Sequence, residues 1–128
     1  MIGEDYTGDL TALEDIASGP IEIRDNWVTF NLVDTTLTVQ MKVFAEGSTY
    51  GIGNGRISKL AIFDDAERRR LMNFHQACET HYDRGWDIKP RTVEAHDRCR
   101  LVVETMGARL RLKRPAETTA TAGPIWAA

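Results

Sequence analysis

Two neighbouring stretches alternate apolar and polar residues with a period of two, and they constrain the fold more than any other feature of the chain. In Trp27 to Val33, Val28, Phe30 and Leu32 fall on one side while Thr29 and Asn31 fall on the other. In Leu37 to Val43, Leu37, Val39, Met41 and Val43 alternate with Thr38, Gln40 and Lys42. Successive side chains of a strand point to opposite faces, so both stretches predict strands with one face on a core and one face wet. The connections are short and rich in turn formers, Asp25-Asn26 before the first and Asp34-Thr35 before the second. Ile21 and Ile23 carry the alternation upstream. Strands this closely spaced pair as an antiparallel meander.

The rest of the chain supplies further elements. Leu10 to Ile16 is weakly helical, and Gly19-Pro20 reads as a break after it. Tyr50 to Gly55 is a glycine-rich loop leading into a strand over Arg56 to Phe63, with Ile57, Leu60 and Ile62 apolar. Asp64 or Asp65 caps a helix expected to continue to about Glu79, with Leu71, Phe74 and Cys78 on one face. Tyr82 to Ile88 is short and strand-like, and Pro90 ends it. Thr92 caps a second helix with an apolar stripe of Ala95, Cys99, Val102, Met106 and Leu110, which Gly107 is placed to end early. Arg109 to Lys113 fits either a continuation of that helix or a last strand. The expected fold is α+β: an antiparallel meander sheet with a helix after the fourth strand and a C-terminal helix packed on one face. Residues 1–114 are expected to form one domain. Residues 115–128, rich in Ala, Thr and Pro, are expected to be a loose or arm-like tail that Ile125 and Trp126 can anchor.

A chain of 128 residues suits one domain. A domain of this size buries about two-thirds of its unfolded surface and needs no disulfide or metal to fold. The net charge of −3 argues against a general nucleic-acid binder but leaves room for a local basic pocket. Two cysteines are too few for a secreted disulfide framework and are expected to be reduced thiols. Met1 to Leu10 lacks the basic start and apolar core of a signal peptide, and no apolar run is long enough to span a membrane. The expected location is the cytoplasm.

Four segments carry candidate chemistry. The glycine-rich loop with Gly53 and Gly55 offers backbone N–H groups for an anion, and Arg56 and Lys59 add charge; the bland reading is a tight turn between strands. Tyr82, Asp83, Arg84, Trp86 and Asp87 put aromatic, cationic and acidic groups within six positions, fit for a base, a phosphate and a ribose. The bland reading there is a hairpin edge with Trp86 in the core. His75-x-x-Cys78 and His96-x-x-Cys99 have helical spacing that permits a two-His, two-Cys zinc site, but both cysteines fall on apolar stripes and are assigned to the core, so no metal is expected. The basic run Arg109, Arg111, Lys113 and Arg114 is a local positive patch. No nucleophile–base arrangement stands out, so no enzyme activity and no cofactor are expected.

Tyr50-Gly51-Ile52, followed by Gly53-Asn54-Gly55-Arg56-Ile57-Ser58-Lys59-Leu60, resembles the YGIxGGRISKL signature of a family of small phage and prophage proteins. Tyr82 to Pro90 matches its YDRGWDxxP element at every fixed position. Asn54 stands where glycine is expected, a mild departure because Asn tolerates left-handed geometry. The intervening stretch is longer than the family's short hairpin and looks helical. The family is similar to phage sponge proteins that defeat Thoeris and CBASS immunity by sequestering cyclic ADP-ribose isomers or cyclic oligonucleotides at subunit interfaces. The resemblance implies non-catalytic binding of a phosphate-containing nucleotide by a homo-oligomer. It implies Arg56, Lys59, Arg84 and Arg109 for phosphate, Tyr82 or Trp86 for the base, and Asp83 or Asp87 for ribose. The alternatives are a phage structural or interaction protein, in which the motifs only determine the fold, and a nucleotide hydrolase using Asp83 and Asp87 with a metal.

Overall fold

The computed structural model describes residues 8–116. Six strands form one antiparallel sheet in sequence order: β1 (Ala17–Arg24), β2 (Trp27–Leu32), β3 (Leu37–Val43), β4 (Ile57–Asp64), β5 (Cys78–Asp83) and β6 (Trp86–Ile88). Two short helices, α1 (Asp65–Leu71) and α2 (Phe74–Ala77), follow β4, and α3 (Val93–Thr105) follows β6. This is the expected α+β meander. Among the described residues, no helix is long and apolar enough to cross a membrane.

The turn chemistry explains the meander. Asp25 and Asn26 both take positive φ, 53° and 72°, the geometry of a two-residue hairpin that matches strand twist. Asn26 also braces β3, its side-chain amide donating to the Val43 carbonyl at 2.9 Å. Asp34 at φ 62° and the Thr35 hydroxyl, which donates to the Leu32 carbonyl at 2.8 Å, close the next turn.

One apolar face of the sheet carries the main core. Val28, Phe30 and Leu32 meet Val39, Met41 and Val43, then Ile57, Leu60 and Ile62, with α3 delivering Cys99, Val102 and Val103. The Thr92 hydroxyl caps α3, accepting from the Ala95 N–H at 3.1 Å, and Gly107 at φ 84° follows its last turn. A bidentate Arg98–Glu79 pair at 2.8 Å joins α3 to β5. A second, smaller cluster of Ala61, Phe63 and Cys78 packs against Phe74 and Ala77 of α2 and Ile88 of β6. Leu60 and Ile62 alternate with Ala61 and Phe63 along β4, so α2 serves the face opposite to α3.

Four expectations change. Gly19-Pro20 does not end an element but lies inside β1, where a register irregularity between Ser18 and Glu22 accommodates it. β1 is an edge strand, and an edge tolerates a proline without a ladder donor. The helix capped by Asp64 ends at Leu71 rather than near Glu79. Met72 takes a left-handed φ of 54°, Asn73 caps the four-residue α2, and Cys78 already pairs with Phe63 in the sheet. Leu71, Phe74 and Cys78 therefore do not share a helical face; the bonding edge of β4 recruits Cys78 to Asp83 as its partner. Tyr82 to Ile88 is not one strand but a hairpin, turning at Arg84 (φ 57°) and Gly85. Arg109 to Lys113 is neither helix nor strand. It runs back along α3, held by the His96 ring at the Leu112 carbonyl (3.0 Å) and by Arg114 on Asp97 (2.9 and 3.0 Å). Residues 117–128, with Ile125 and Trp126, lie outside the described residues.

The glycines of the loop before β4 are spatial requirements. A Cβ on Gly53, which has φ 59°, would meet the Arg109 carbonyl oxygen at 2.2 Å, and one on Gly55 would meet the Ala108 methyl at 2.5 Å. Gly53→Ala is expected to lower stability by about 2 kcal/mol or more, combining left-handed strain with a backbone clash. Gly85→Ala, with no atom of the described residues within 4 Å of the new Cβ, is expected to stay within about 0.5 kcal/mol of the parent. Denaturant titrations of both variants check the contrast; equal stabilities would contradict the close approach.

Candidate functional site

Strand register assembles a surface that no single segment reveals. Across the polar face, Arg24 lies opposite Trp27, Trp27 opposite Lys42, Lys42 opposite Lys59, and Lys59 opposite Asp83. A parallel row runs Glu22, Thr29, Gln40, Ala61 and His81. The first row thus spans five strands with one aromatic ring and three cations. The Nζ atoms of Lys42 and Lys59 stand 5.8 and 5.9 Å from the Trp27 ring centroid. Lys42 is also 5.8 Å from the Phe44 ring. Like charges directly opposite each other in neighbouring strands repel; Lys59 has an acidic neighbour in Asp83 at 3.8 Å.

The second row sets the depth of this surface. Ala61 is the smallest side chain in it, and its methyl leaves a hollow of about 180 Å3 among Trp27, Gln40, Lys59, Phe74 and His81. A second depression of about 390 Å3 continues past Trp27 and Gln40 to Thr29, Glu22 and Arg24. Together they form an open groove floored by the sheet. A larger cavity of about 520 Å3 sits at the β1 edge, but among the described residues Glu14 is the one charged group in its lining, which does not suit an anion.

Of the residues singled out from sequence, Lys59, Tyr82 and Asp83 line this groove, although Tyr82 belongs to the main core. Tyr82 is buried: its ring meets Trp86 edge-on at 4.9 Å, and its hydroxyl donates to the Tyr50 carbonyl at 2.8 Å. The Arg84 N–H donates to the Ser58 carbonyl at 2.9 Å. The loop and the hairpin therefore meet, through contacts that hold the fold. Trp86 packs against the main core, the bland reading of that segment. Gly53 faces the Arg109 backbone and Gly55 the Ala108 methyl. The Arg56 guanidinium donates to the Asp9 carbonyl at 3.1 Å and binds down the N-terminal segment. The Arg84 side chain is exposed and reaches Asp83 at 3.2 Å. Arg109 is exposed beyond α3. Asp83 and Asp87 engage different partners: Asp87 accepts from His75 Nε2 and His81 Nδ1, each at 2.9 Å.

Sequence reasoning missed Trp27, Lys42 and Gln40. The signal was present, since the alternation that buries Val28 and Met41 places Trp27 and Lys42 outward. Only the β2–β3–β4 register brings them beside Lys59.

The two cysteines sit in separate apolar clusters, Cys78 with Phe63 and Cys99 in the main core, so they form no joint site with His75 and His96. Burial, with Asp87 nearby, pushes the Cys78 thiol up to about 11; burial, with Glu79 nearby, pushes Cys99 up to about 12.

Residues 21–107 match the model of a family described as Domain of unknown function (DUF7678), and the chain belongs to that family. No curated protein and no solved structure matches it.

The thiols give a test of the packing. The thiolate is the reactive form, so the native protein is expected to resist an aromatic disulfide reagent at pH 8, while denaturant exposes two fast-reacting thiols. The folded thiols ionise later than unfolded ones. Their contribution to stability is therefore complete below about pH 9 and is lost as pH rises toward 11–12. Fast native labelling, or stability unchanged between pH 8 and 10.5, would contradict the burial.

Proposed function

We propose that this member of the DUF7678 family is a non-catalytic binding protein that holds a phosphate-bearing nucleotide on the polar face of its sheet. The observation that supports it is the Trp27 ring with the Lys42 and Lys59 ammonium groups 5.8 and 5.9 Å from its centroid, over an open groove. An indole face stacks on any base and tolerates its identity. Two ammonium groups held opposite each other repel when the groove is empty and are relieved when a phosphate enters between them. Thr29 and Gln40 add neutral hydrogen-bonding groups, and Asp83 at the end of the row suits a ribose hydroxyl.

The signatures at Tyr50–Leu60 and Tyr82–Pro90 support the same ligand class through their resemblance to phage sponge proteins. On this reading the chain is an anti-defence protein that sequesters a cyclic ADP-ribose isomer or a cyclic oligonucleotide in the host cytoplasm. A groove this open encloses a nucleotide better between two copies, which supports a homo-oligomer. A second reading, an interaction protein with no small ligand, draws on the exposed apolar side chains Ile23, Phe44, Tyr50, Met72 and Leu101.

Equilibrium uptake of cyclic ADP-ribose isomers and of cyclic di- and trinucleotides, followed by heat release and mass analysis, separates the readings. The expected result is tight uptake and intact return of one of these ligands. Trp27→Ala is expected to weaken it by about five- to a hundredfold, from a loss of ~1–3 kcal/mol of stacking. Lys42→Gln and Lys59→Gln are expected to weaken it by about ten- to a hundredfold each. Arg84→Ala is expected to leave uptake and thermal midpoint close to the parent. Chemically altered return would show an enzyme, and no uptake of any of them would favour the interaction protein.

A further inference from the structure

A separate cluster lies at the α2–β6 corner. His75 comes from α2, His81 from β5 and Asp87 from β6, so three successive elements each send one polar side chain to one point. The His75 Nε2 and His81 Nδ1 atoms both stand 2.9 Å from the same carboxylate oxygen, Asp87 Oδ2. All three ligand atoms lie within 4.8 Å of one another. From these positions we infer that the corner is a divalent transition-metal site of two imidazole nitrogens and one carboxylate oxygen.

The donor set selects the class of ion. Imidazole suits zinc, cobalt, nickel and iron, whereas magnesium and calcium want oxygen donors. Three protein ligands leave at least one coordination position for water or an exogenous oxygen. That position opens to solvent, because His75 and Asp87 have side chains 60% and 49% exposed while His81 is held at 18%. The rings are also supported. Phe74 packs edge-on against His75 at 6.1 Å and against His81 at 5.9 Å, and it is itself seated on Phe63 at 5.0 Å. The two imidazoles thus approach Asp87 from an apolar backing rather than from free solvent. His81 also lines the groove on the polar face, so an ion here sits at its end; the site does not depend on what the groove binds.

The site differs from the two-His, two-Cys grouping that spacing alone permits. It uses neither cysteine, and its geometry exists only because the chain leaves helix at Ala77 and enters β5.

The test uses the full chain, freed of any affinity tag and stripped with chelator, titrated with Zn2+ by calorimetry and with Co2+ by visible absorption. One ion per chain is expected, with a raised thermal midpoint, Co2+ ligand-field bands characteristic of nitrogen–oxygen coordination and no competition from excess Mg2+. His81→Ala and the near-isosteric Asp87→Asn are each expected to weaken uptake at least tenfold. Glu104→Gln, an exposed carboxylate on α3 outside the cluster, is expected to leave it unchanged. Because Asp87→Asn preserves shape, its melting in the absence of metal separates lost ligation from lost folding. Absence of Zn2+ uptake, uptake undiminished in both cluster variants, or displacement by Mg2+ would overturn the assignment.

Discussion

The burial of β4 on both faces is the constraint on which the rest of the structure depends. Ile57, Leu60 and Ile62 enter the main core under α3, while Ala61 and Phe63 enter the cluster under α2. A strand paired on both edges and covered on both faces has little room for charge, and Lys59 is the one cation along it. Both ends of β4 are fixed as well. Before it, the loop glycines admit residues 108–109; after it, the Asp64 carboxylate accepts the Ala66 and Glu67 N–H groups and starts α1. The segment after the strand must then turn back across the second cluster, which puts His75 beside β5 and β6.

From this follows the division between parts of the chain that hold the fold and parts that face solvent with chemical capacity. The conspicuous motifs are largely absorbed by the former. Tyr82 closes onto the Tyr50 carbonyl, Arg56 secures the segment at Asp9, and Gly53 and Gly55 permit contact with residues 108–109. The polar face is written less visibly, in single residues spread over five strands: Arg24, Trp27, Lys42, Lys59 and Asp83. Ala61 shapes it by being small.

The sheet was legible because its signals are local. The outward alternation of Thr29 and Gln40, the Asp25-Asn26 turn, the Thr92 cap and the stop at Gly107 each act within a few residues. The break at Ala77 was not legible: Leu71, Phe74 and Cys78 satisfy a helical stripe by spacing, and only the unpaired edge of β4 decides that Cys78 belongs to a strand. The same tertiary preference hid the meeting of His75, His81 and Asp87. Lys59 and Asp83 were found as charges, but their shared row with Trp27 and Lys42 depends on register, which spacing along the chain does not specify.

If the row through Trp27 is where ligand binds, amide and indole resonances should report it without any substitution. Nitrogen–proton correlation spectra of labelled protein, recorded while adding whichever cyclic nucleotide is taken up, test this directly. The account predicts shifts concentrated at the Trp27 indole N–H and the amides of Thr29, Gln40, Lys42, Lys59 and Ala61, with Gly53, Gly55 and Gly85 unmoved. Shifts confined to the glycine-rich loop, Arg84 and Arg109, with the Trp27 indole unchanged, would contradict it.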